Sequence, residues 1–459
     1  GWSAHGVRER PGALGEQQWA QEASVTRAER LPVRESGEYP AARSSGQWGE
    51  PWDGSPPEEP EKKRRGRRWL IVLVAAIVLV AGGVTGQLVR PVPEPTIELA
   101  IASSHAFPGQ APRLPWPSAG QSAVYVDGLG SMGASGGSAP TPTASVAKVM
   151  TAYVYLRDHP LKPGEPGPVL TVSPEAAAQI PMRRKREESL LGVTAYQKLT
   201  QRKALEALLI ISANDVAHEL ARWDSGSEQA FVAKMNAAAA ELGMTATRYT
   251  DPSGYDSGTV STAADQVKLL KAAMGLPEFA EIVNNRSYVP DGAGLAREGG
   301  NFLLGQYGVV GGKTGYTDAA GGNFVFVARK TVQGVETLIV GAVMGQRSPS
   351  AAGAVNAAGR LVAAAEGALT AVTLAQKGAR VALVDDGLGG TTPLRAAAPV
   401  TVVGWPGLTV RVGVEGEPPH RGAAGEQVGT VTAGAGTVPL RLGHALDEPS
   451  YLKRLTRLG

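Results

Sequence analysis

The hydrophobic pattern divides the chain into five segments. Residues 1–68 contain 16 Gly or Pro and only five Leu or Val, so this tail is predicted to be disordered because it cannot bury enough apolar surface to offset the entropy of ordering. An uncharged apolar run occupies residues 69–89, and seven prolines then mark residues 90–118 as an extended spacer. Mixed helical and strand patterns fill residues 119–370, and short alternating runs broken by Gly and Pro fill residues 371–459.

The apolar run predicts a single membrane span. Its 21 residues rise 1.5 Å each in a helix, enough for a hydrocarbon core of about 30 Å. Six Lys or Arg lie in the eight residues before it and only Arg90 lies directly after it. The positive-inside rule therefore predicts a single-pass protein of the cell membrane, with the tail in the cytoplasm and all later residues outside. A buried core helix is disfavoured by the uniform apolarity, and a cleaved signal peptide by the 68 preceding residues.

The pattern of residues 119–370 predicts an α+β fold. A strand signal, "SAVYVDG", opens this region, several helical segments follow, and two strands, "NFVFVARK" and "VETLIVGAVM", come before a last helix. Strands at both ends with helices between them indicate an antiparallel sheet, flanked by helices, whose first and last strands pair around a helical subdomain. Residues 371–459 are predicted to form a small all-β domain.

Composition and charge exclude several classes of function. The formal net charge is only +3, and the basic residues concentrate before the apolar run, so nucleic acid is not an expected partner. The chain has no cysteine, which excludes disulfides and thiolate chemistry. Its six histidines show no metal-ligand spacing such as HExxH. We therefore expect no metal and no other cofactor.

One short stretch, "TPTASVAKVM", places Ser145 three residues before Lys148 where a helix is predicted to begin. Serine is a favoured helix N-cap, and a lysine one turn later is common. Positions three apart also share a helical face, so the amine could reach the hydroxyl and act as the base that a serine nucleophile needs. The stretch alone leaves both interpretations open.

Two later motifs favour the interpretation of Ser145 as a nucleophile. Ser212 lies 67 residues after Ser145, in "IISANDVAHEL", which also contains Asn214. Lys313, in "VVGGKTGYTD", lies a further 101 residues on. Each alone is compatible with a turn between helices or with a hairpin loop. A phosphate loop is excluded for the second, because the first glycine of GxxxxGK[ST] is missing and a strand follows. The ordered set SxxK, SxN and KTG is far more specific than any one member.

This set resembles the active-site serine penicillin-recognising enzymes. The strings "ASVAKVMTAYV", "ALLIISANDVAHELA" and "ELGMTATRYTDPSGYDS" make residues 120–370 more similar to the serine-type D-alanyl-D-alanine carboxypeptidases, the low-molecular-weight penicillin-binding proteins. The resemblance implies a peptidoglycan stem peptide ending in D-Ala-D-Ala as substrate and β-lactams as inhibitors. The resemblance implies that Ser145 is the nucleophile, Lys148 the general base and Ser212 a proton relay. The backbone N–H groups of Ser145 and Tyr316 would be the oxyanion donors. The residues that would bind the substrate are Asn214, Lys313, Thr314, Gly315 and Tyr316.

A lysine that acts as a base needs a lowered pKa. Desolvation or a nearby cation would lower the pKa, and Lys313 is the candidate for that cation. His218 has no evident partner acid in the sequence and is interpreted as structural.

Three alternatives to a carboxypeptidase are compatible with parts of this pattern. A class A β-lactamase needs a glutamate that activates the deacylating water, and its expected place near Arg248 lies in a stretch without Glu, residues 242–277; we therefore expect slow deacylation from β-lactams. A transpeptidase differs only in using an amine rather than water to resolve the acyl-enzyme. A non-catalytic cell-wall scaffold is disfavoured, because all three motifs are intact.

Overall fold

The computed structural model describes residues 62–457. Within the described residues, the boundary between two compact units lies after residue 75. Most of the predicted disordered tail, residues 1–61, lies outside the described residues.

A long helix, α1 (Lys62–Val89), contains the predicted span. Within it, Gly66–Val89 contains an 18-residue window with a mean hydropathy of 2.4 and no buried share, so by length and composition it could cross a membrane. The helix begins seven residues before the predicted apolar run, because residues 62–68 extend it with Lys and Arg, which have high helix propensity. This part of the predicted tail is therefore helical and not disordered.

A five-stranded antiparallel sheet, in the order β11-β12-β13-β3-β4, organises the region that follows. Its strands are β3 (Gln121–Val126), β4 (Gly130–Ser135), β11 (Val309–Thr317), β12 (Gly321–Val332) and β13 (Val335–Gln346). The N-terminal strand β3 pairs with the late strand β13, with Tyr125 opposite Val340. The predicted α+β fold is confirmed, including the pairing of early and late strands.

Alternate residues of β12 point to opposite faces of the sheet, as the period of a strand requires. Val325 and Val327 join the core shared with α8 (Ala263–Met274). Phe324 and Phe326 join a second core shared with α10 (Ala352–Ala368). The sheet is thus covered on both faces, and this anchors the edge strand β11 that carries Lys313.

A helical subdomain lies between β4 and β11 in the chain, as predicted. Its elements are the strand β5 (Thr141–Pro142), a 3-10 turn (Ala144–Ala147), α2 (Lys148–Asp158), β6 (Val169–Thr171), α3 (Pro174–Ala178), α4 (Ile180–Lys185), β7 (Lys198–Thr200), α5 (Gln201–Leu209), α6 (Asn214–Ser225), α7 (Glu228–Glu241), β8 (Val260–Ser261), α8, α9 (Pro277–Val283), β9 (Ser287–Tyr288) and β10 (Arg297–Glu298). Helices α2, α5 and α6 pack on one another and bury the segments that carry the first two motifs.

The C-terminal residues form a β-rich module. Its elements are β14 (Thr370–Ala375), β15 (Arg380–Asp385), β16 (Thr391–Ala396), β17 (Val400–Gly404), β18 (Thr409–Glu415), β19 (Gln427–Ala433), β20 (Gly436–Leu442) and a short helix, α11 (Tyr451–Thr456). Strands β14 and β17 pair with each other, and the other five strands belong to a seven-stranded sheet.

The remaining two strands of that sheet come from the predicted spacer, which corrects the prediction. Strands β1 (Thr96–Leu99) and β2 (Ser104–Ala106) occupy its two edges, paired with β15 and β18. Phe107 follows β2 and is buried in the core of the module. Prolines are compatible with this arrangement because they flank edge strands, which leave one side of the ladder unpaired. The module therefore combines residues 96–107, which follow α1, with the C-terminal residues 370–456.

Candidate active site

Ser145 lies in the 3-10 turn directly before α2, and it does not cap the helix. The N-cap position of α2 is Ala147, without a side-chain hydrogen bond. The preceding residue, Ala144, has a φ of 48°, a left-handed conformation that costs energy for a residue with a Cβ. Its carbonyl lies against Gly254, where an added Cβ would come within 1.8 Å of the oxygen. The turn is thus held in a strained shape that presents the Ser145 hydroxyl, which is partly exposed.

Lys148 is the first residue of α2 and is completely buried. Its Nζ lies 2.7 Å from the Oγ of Ser145, 2.6 Å from the Oδ1 of Asn214 and 2.9 Å from the carbonyl oxygen of Ser253. These three acceptors match the three protons of an ammonium group. Loss of one proton leaves a lone pair, and the contact with Ser145 is the one at which that lone pair can receive a proton.

Burial lowers the pKa of Lys148 from 10.5 to about 7, against the opposing effect of nearby carboxylates, above all Asp251. The positive charge of Arg183 also lowers this pKa, and the same effect expected of Lys313 stays a prediction. Conversely, burial, assisted by the charge of Lys148, holds the pKa of Lys313 well below its usual value. A lysine with a pKa near neutrality can serve as a general base at physiological pH.

The second motif occupies the turn between α5 and α6. Ser212 has a φ of 61°, and its Oγ accepts a hydrogen bond of 3.0 Å from the Nζ of Lys313. Asn214 begins α6. The adjacent Asp215 accepts hydrogen bonds from the backbone N–H groups of residues 191–193. Asp215 therefore ties the loop before α5 to the start of α6 and holds Asn214 in place.

The third motif lies on β11, at the edge of the central sheet. Lys313 is 1% exposed and also donates to the carbonyl of Thr314 at 2.8 Å. A Cβ added to Gly315 would lie 2.8 Å from the backbone nitrogen of Ser145 and 2.9 Å from that of Val146. Glycine is thus required for β11 to approach the nucleophile turn this closely. Tyr316 follows, partly exposed, with its hydroxyl 3.1 Å from Asp318.

All three motifs therefore meet, although the chain separates them by 67 and 101 residues. Ser145 and Asn214 line a cleft of about 360 Å³, together with residues that include Tyr255, Tyr316 and Asp318. His218 lies on α6 and hydrogen-bonds Glu228 at 2.8 Å. Glu228 is thus a partner acid that was not evident from the sequence, and the structural interpretation of His218 stays a prediction.

Two side chains near the site, Asp251 and Glu188, were not predicted from the sequence. Asp251 accepts hydrogen bonds from the hydroxyl groups of Ser253 and Thr259, and so shapes the loop that places the carbonyl of Ser253 on Lys148. Glu188 lies beside Asn214 and is fully buried. Asp251 belongs to "DPSG", part of the string "ELGMTATRYTDPSGYDS" that carries the family resemblance. Glu188 lies in a run of charged residues, "RRKREE", that is typical of a solvated surface.

Comparisons with known proteins agree with this geometry. A family model described as D-alanyl-D-alanine carboxypeptidase, peptidase family S11, matches residues 132–347. The chain is 38% identical over 195 residues to the D-alanyl-D-alanine carboxypeptidase DacB2 of Mycobacterium tuberculosis, and 30% identical over 190 residues to a D-alanyl-D-alanine endopeptidase of Haemophilus influenzae. These matches cover 41% and 40% of this chain and 62% of each relative.

The fold is also shared with a solved structure, a peptidoglycan synthesis regulatory factor (PBP3) from Streptococcus pneumoniae. The TM-score is 0.58 at 20% identity, and the match covers 72% of this chain and 99% of that one. The family match, which contains all three motifs, and the two named relatives make residues 132–347 similar to the D-alanyl-D-alanine carboxypeptidases.

Proposed function

We propose that this protein is a serine-type D-Ala-D-Ala carboxypeptidase that removes the terminal D-alanine from peptidoglycan stem pentapeptides. The observation that carries the proposal is the buried Lys148, whose Nζ lies 2.7 Å from the Oγ of Ser145 and whose pKa burial lowers to about 7. The named relatives and the family match support the same activity.

The first half of the reaction forms an acyl-enzyme. Neutral Lys148 takes the hydroxyl proton of Ser145 as its Oγ attacks the carbonyl between the two D-alanines. The backbone N–H groups of Ser145 and Tyr316 stabilise the oxyanion, and the proximity of Gly315 to Ser145 is consistent with that pairing. Ser212, which accepts a hydrogen bond from Lys313, relays a proton to the leaving amine.

The substrate is held along the edge strand β11. Its terminal carboxylate binds to Lys313 and Thr314, the feature that favours cleavage at the end of a peptide. Asn214 binds the substrate amide, since its Oδ1 keeps a second lone pair and its Nδ2 a second hydrogen beyond the bonds to Lys148 and Glu188. An unpaired strand edge also accepts an extended peptide through backbone hydrogen bonds.

Hydrolysis of the acyl-enzyme by water completes turnover. β-Lactam adducts should persist, because the loop where a β-lactamase carries its water-activating glutamate has Arg248 and Asp251 instead. Asp251 already accepts hydrogen bonds from the hydroxyl groups of Ser253 and Thr259. The proposed protein is thus a penicillin-binding enzyme and not a β-lactamase.

We also infer a single-pass topology in the cell membrane, with residues before α1 cytoplasmic and the catalytic region outside. The apolar character of Gly66–Val89 and the basic residues before it support this orientation.

The test of the proposed activity uses the full chain in detergent with a pentapeptide ending in D-Ala-D-Ala. We expect release of free D-alanine by the wild type and by His218→Ala, and none by Ser145→Ala. Absence of D-alanine release would contradict the proposal. Cleavage only of a cross-linked dimer would favour an endopeptidase, and transfer to an added amine in preference to water would favour a transpeptidase.

A further inference from the structure

Glu188 is a buried carboxylate in the wall of the active site, and it has no role in the proposed reaction. Its side chain has no exposed surface. Its Oε2 accepts hydrogen bonds from the Nη1 of Arg183 at 3.0 Å and from the Nδ2 of Asn214 at 2.9 Å. Burial of an ionised carboxylate is costly unless it is paired and hydrogen-bonded.

Arg183 supplies that pairing, and the local chain is shaped to allow it. The guanidinium is also held by the Oε1 of Gln179, 2.6 Å from its Nη2. The backbone N–H of Glu188 donates to the carbonyl of Arg183 at 3.1 Å, which closes the turn after α4. Glu187, inside this turn, has a φ of 57°, a left-handed conformation that a residue with a Cβ rarely adopts. The turn thus directs Glu188 inward toward Asn214.

The chemistry of a carboxylate determines which way the amide of Asn214 faces. An ionised carboxylate only accepts hydrogen bonds, so the NH₂ group of Asn214 must point to Glu188. The amide oxygen then points to Lys148, as its 2.6 Å distance from Nζ shows. A continuous chain of contacts therefore runs from Arg183 through Glu188 and Asn214 to Lys148.

We propose that Glu188, held by Arg183, is a positioning residue that fixes Asn214 with its oxygen on Lys148 and controls the protonation of that base. The inference rests on the proposed role of Lys148 in catalysis. Glu188 is not the base for a hydrolytic water, because its carboxylate is shielded from solvent.

The direction of this control follows from the charges around Lys148. Several charged groups from different elements face the lysine: Asp251, Glu188, Asp215, Arg183 and Lys313. The negative charge of Glu188 raises the pKa of Lys148 and the positive charge of Arg183 lowers it, while burial keeps it at about 7. Glu188→Gln should therefore lower the pKa, and Arg183→Gln should raise it.

The test measures the rate of acylation by a fluorescent penicillin against pH for the full chain in detergent. Acylation needs neutral Lys148, so the wild-type rate should fall tenfold per unit below a midpoint near pH 7. Glu188→Gln should move this midpoint to lower pH and Arg183→Gln to higher pH, each by on the order of one unit. The double variant, which removes both charges, should lie between them.

Glu278→Gln is a matched control, because Glu278 is also buried and paired with an arginine, Arg202, at 2.6 Å. It removes a buried carboxylate next to an arginine from a place that does not face Lys148, although burial raises the pKa of Glu278 to about 7. We expect a lower melting temperature for this variant with an unchanged midpoint. A purely structural role for Glu188 would produce the same result in Glu188→Gln, and that result would overturn the proposal.

A second readout does not depend on turnover. Selective ¹³C-lysine labelling with NMR follows the titration of Lys148 directly, assigned by its loss in Lys148→Arg. Opposite shifts of this titration in the Glu188→Gln and Arg183→Gln variants would support the inference even in a chain that released no D-alanine. An unchanged titration, or movement of both variants in one direction, would overturn the inference while leaving the proposed activity intact.

Discussion

Gly315 allows strand β11, which carries the third motif, to lie directly against the turn that holds Ser145. A Cβ at this position would approach the backbone nitrogens of Ser145 and Val146 to 2.8 and 2.9 Å, closer than real contacts allow. Gly315→Ala should therefore push β11 away from the turn and misplace an oxyanion donor. We expect the acylation rate by penicillin to fall by about 100-fold, measured by stopped-flow fluorescence.

The control for this substitution is Gly413→Ala, on strand β18. Among residues 62–457, no neighbouring atom lies within 4 Å of a Cβ built there, so acylation should remain at the wild-type rate. Equal acylation by the Gly315 and Gly413 variants would show that the close approach is not needed for reaction.

The contact of Ser145 with Lys148 was predictable because residues three apart share a helical face. The 3-10 geometry of the turn was not, since it depends on Gly254 and on the loop shaped by Asp251, both more than 100 residues away in the chain. The role of Glu188 was equally hidden. A glutamate in a charge run carries no local signal that tertiary packing will bury it.

At the scale of elements, the apolar helix α1 allows a direct test of topology. Its last part, Gly66–Val89, is preceded by basic residues that resist transfer across the membrane. Protease added to intact spheroplasts should digest the region after residue 89 and leave a protected N-terminal fragment. Protection of the catalytic region would contradict the proposed orientation.

Element prediction succeeded where the hydrophobic period was long and regular, as in the central sheet, whose early and late strands pair as expected. It missed two short strands within residues 90–118, where the prolines indicated a spacer. Strands β1 and β2 span only four and three residues there. Strands this short have no readable alternation, and partners far along the chain, β15 and β18, determine them.

At the scale of the whole molecule, the fold brings together three motifs that no local pattern connects. The edge strand β11 carries Lys313 to Ser212, while α2 and α6 bring Lys148 to Asn214. The sequence could identify these residues through their order and resemblance. It could not show that burial lowers the pKa of Lys148 to about 7, since that requires the packed environment.

Mass spectrometry of the full chain after incubation with penicillin tests directly whether Ser145 is the nucleophile. We expect one covalent penicilloyl adduct, located on the peptide that contains Ser145 and lost in Ser145→Ala. An unmodified chain, or an adduct on any other residue, would contradict the assignment of Ser145 as the nucleophile.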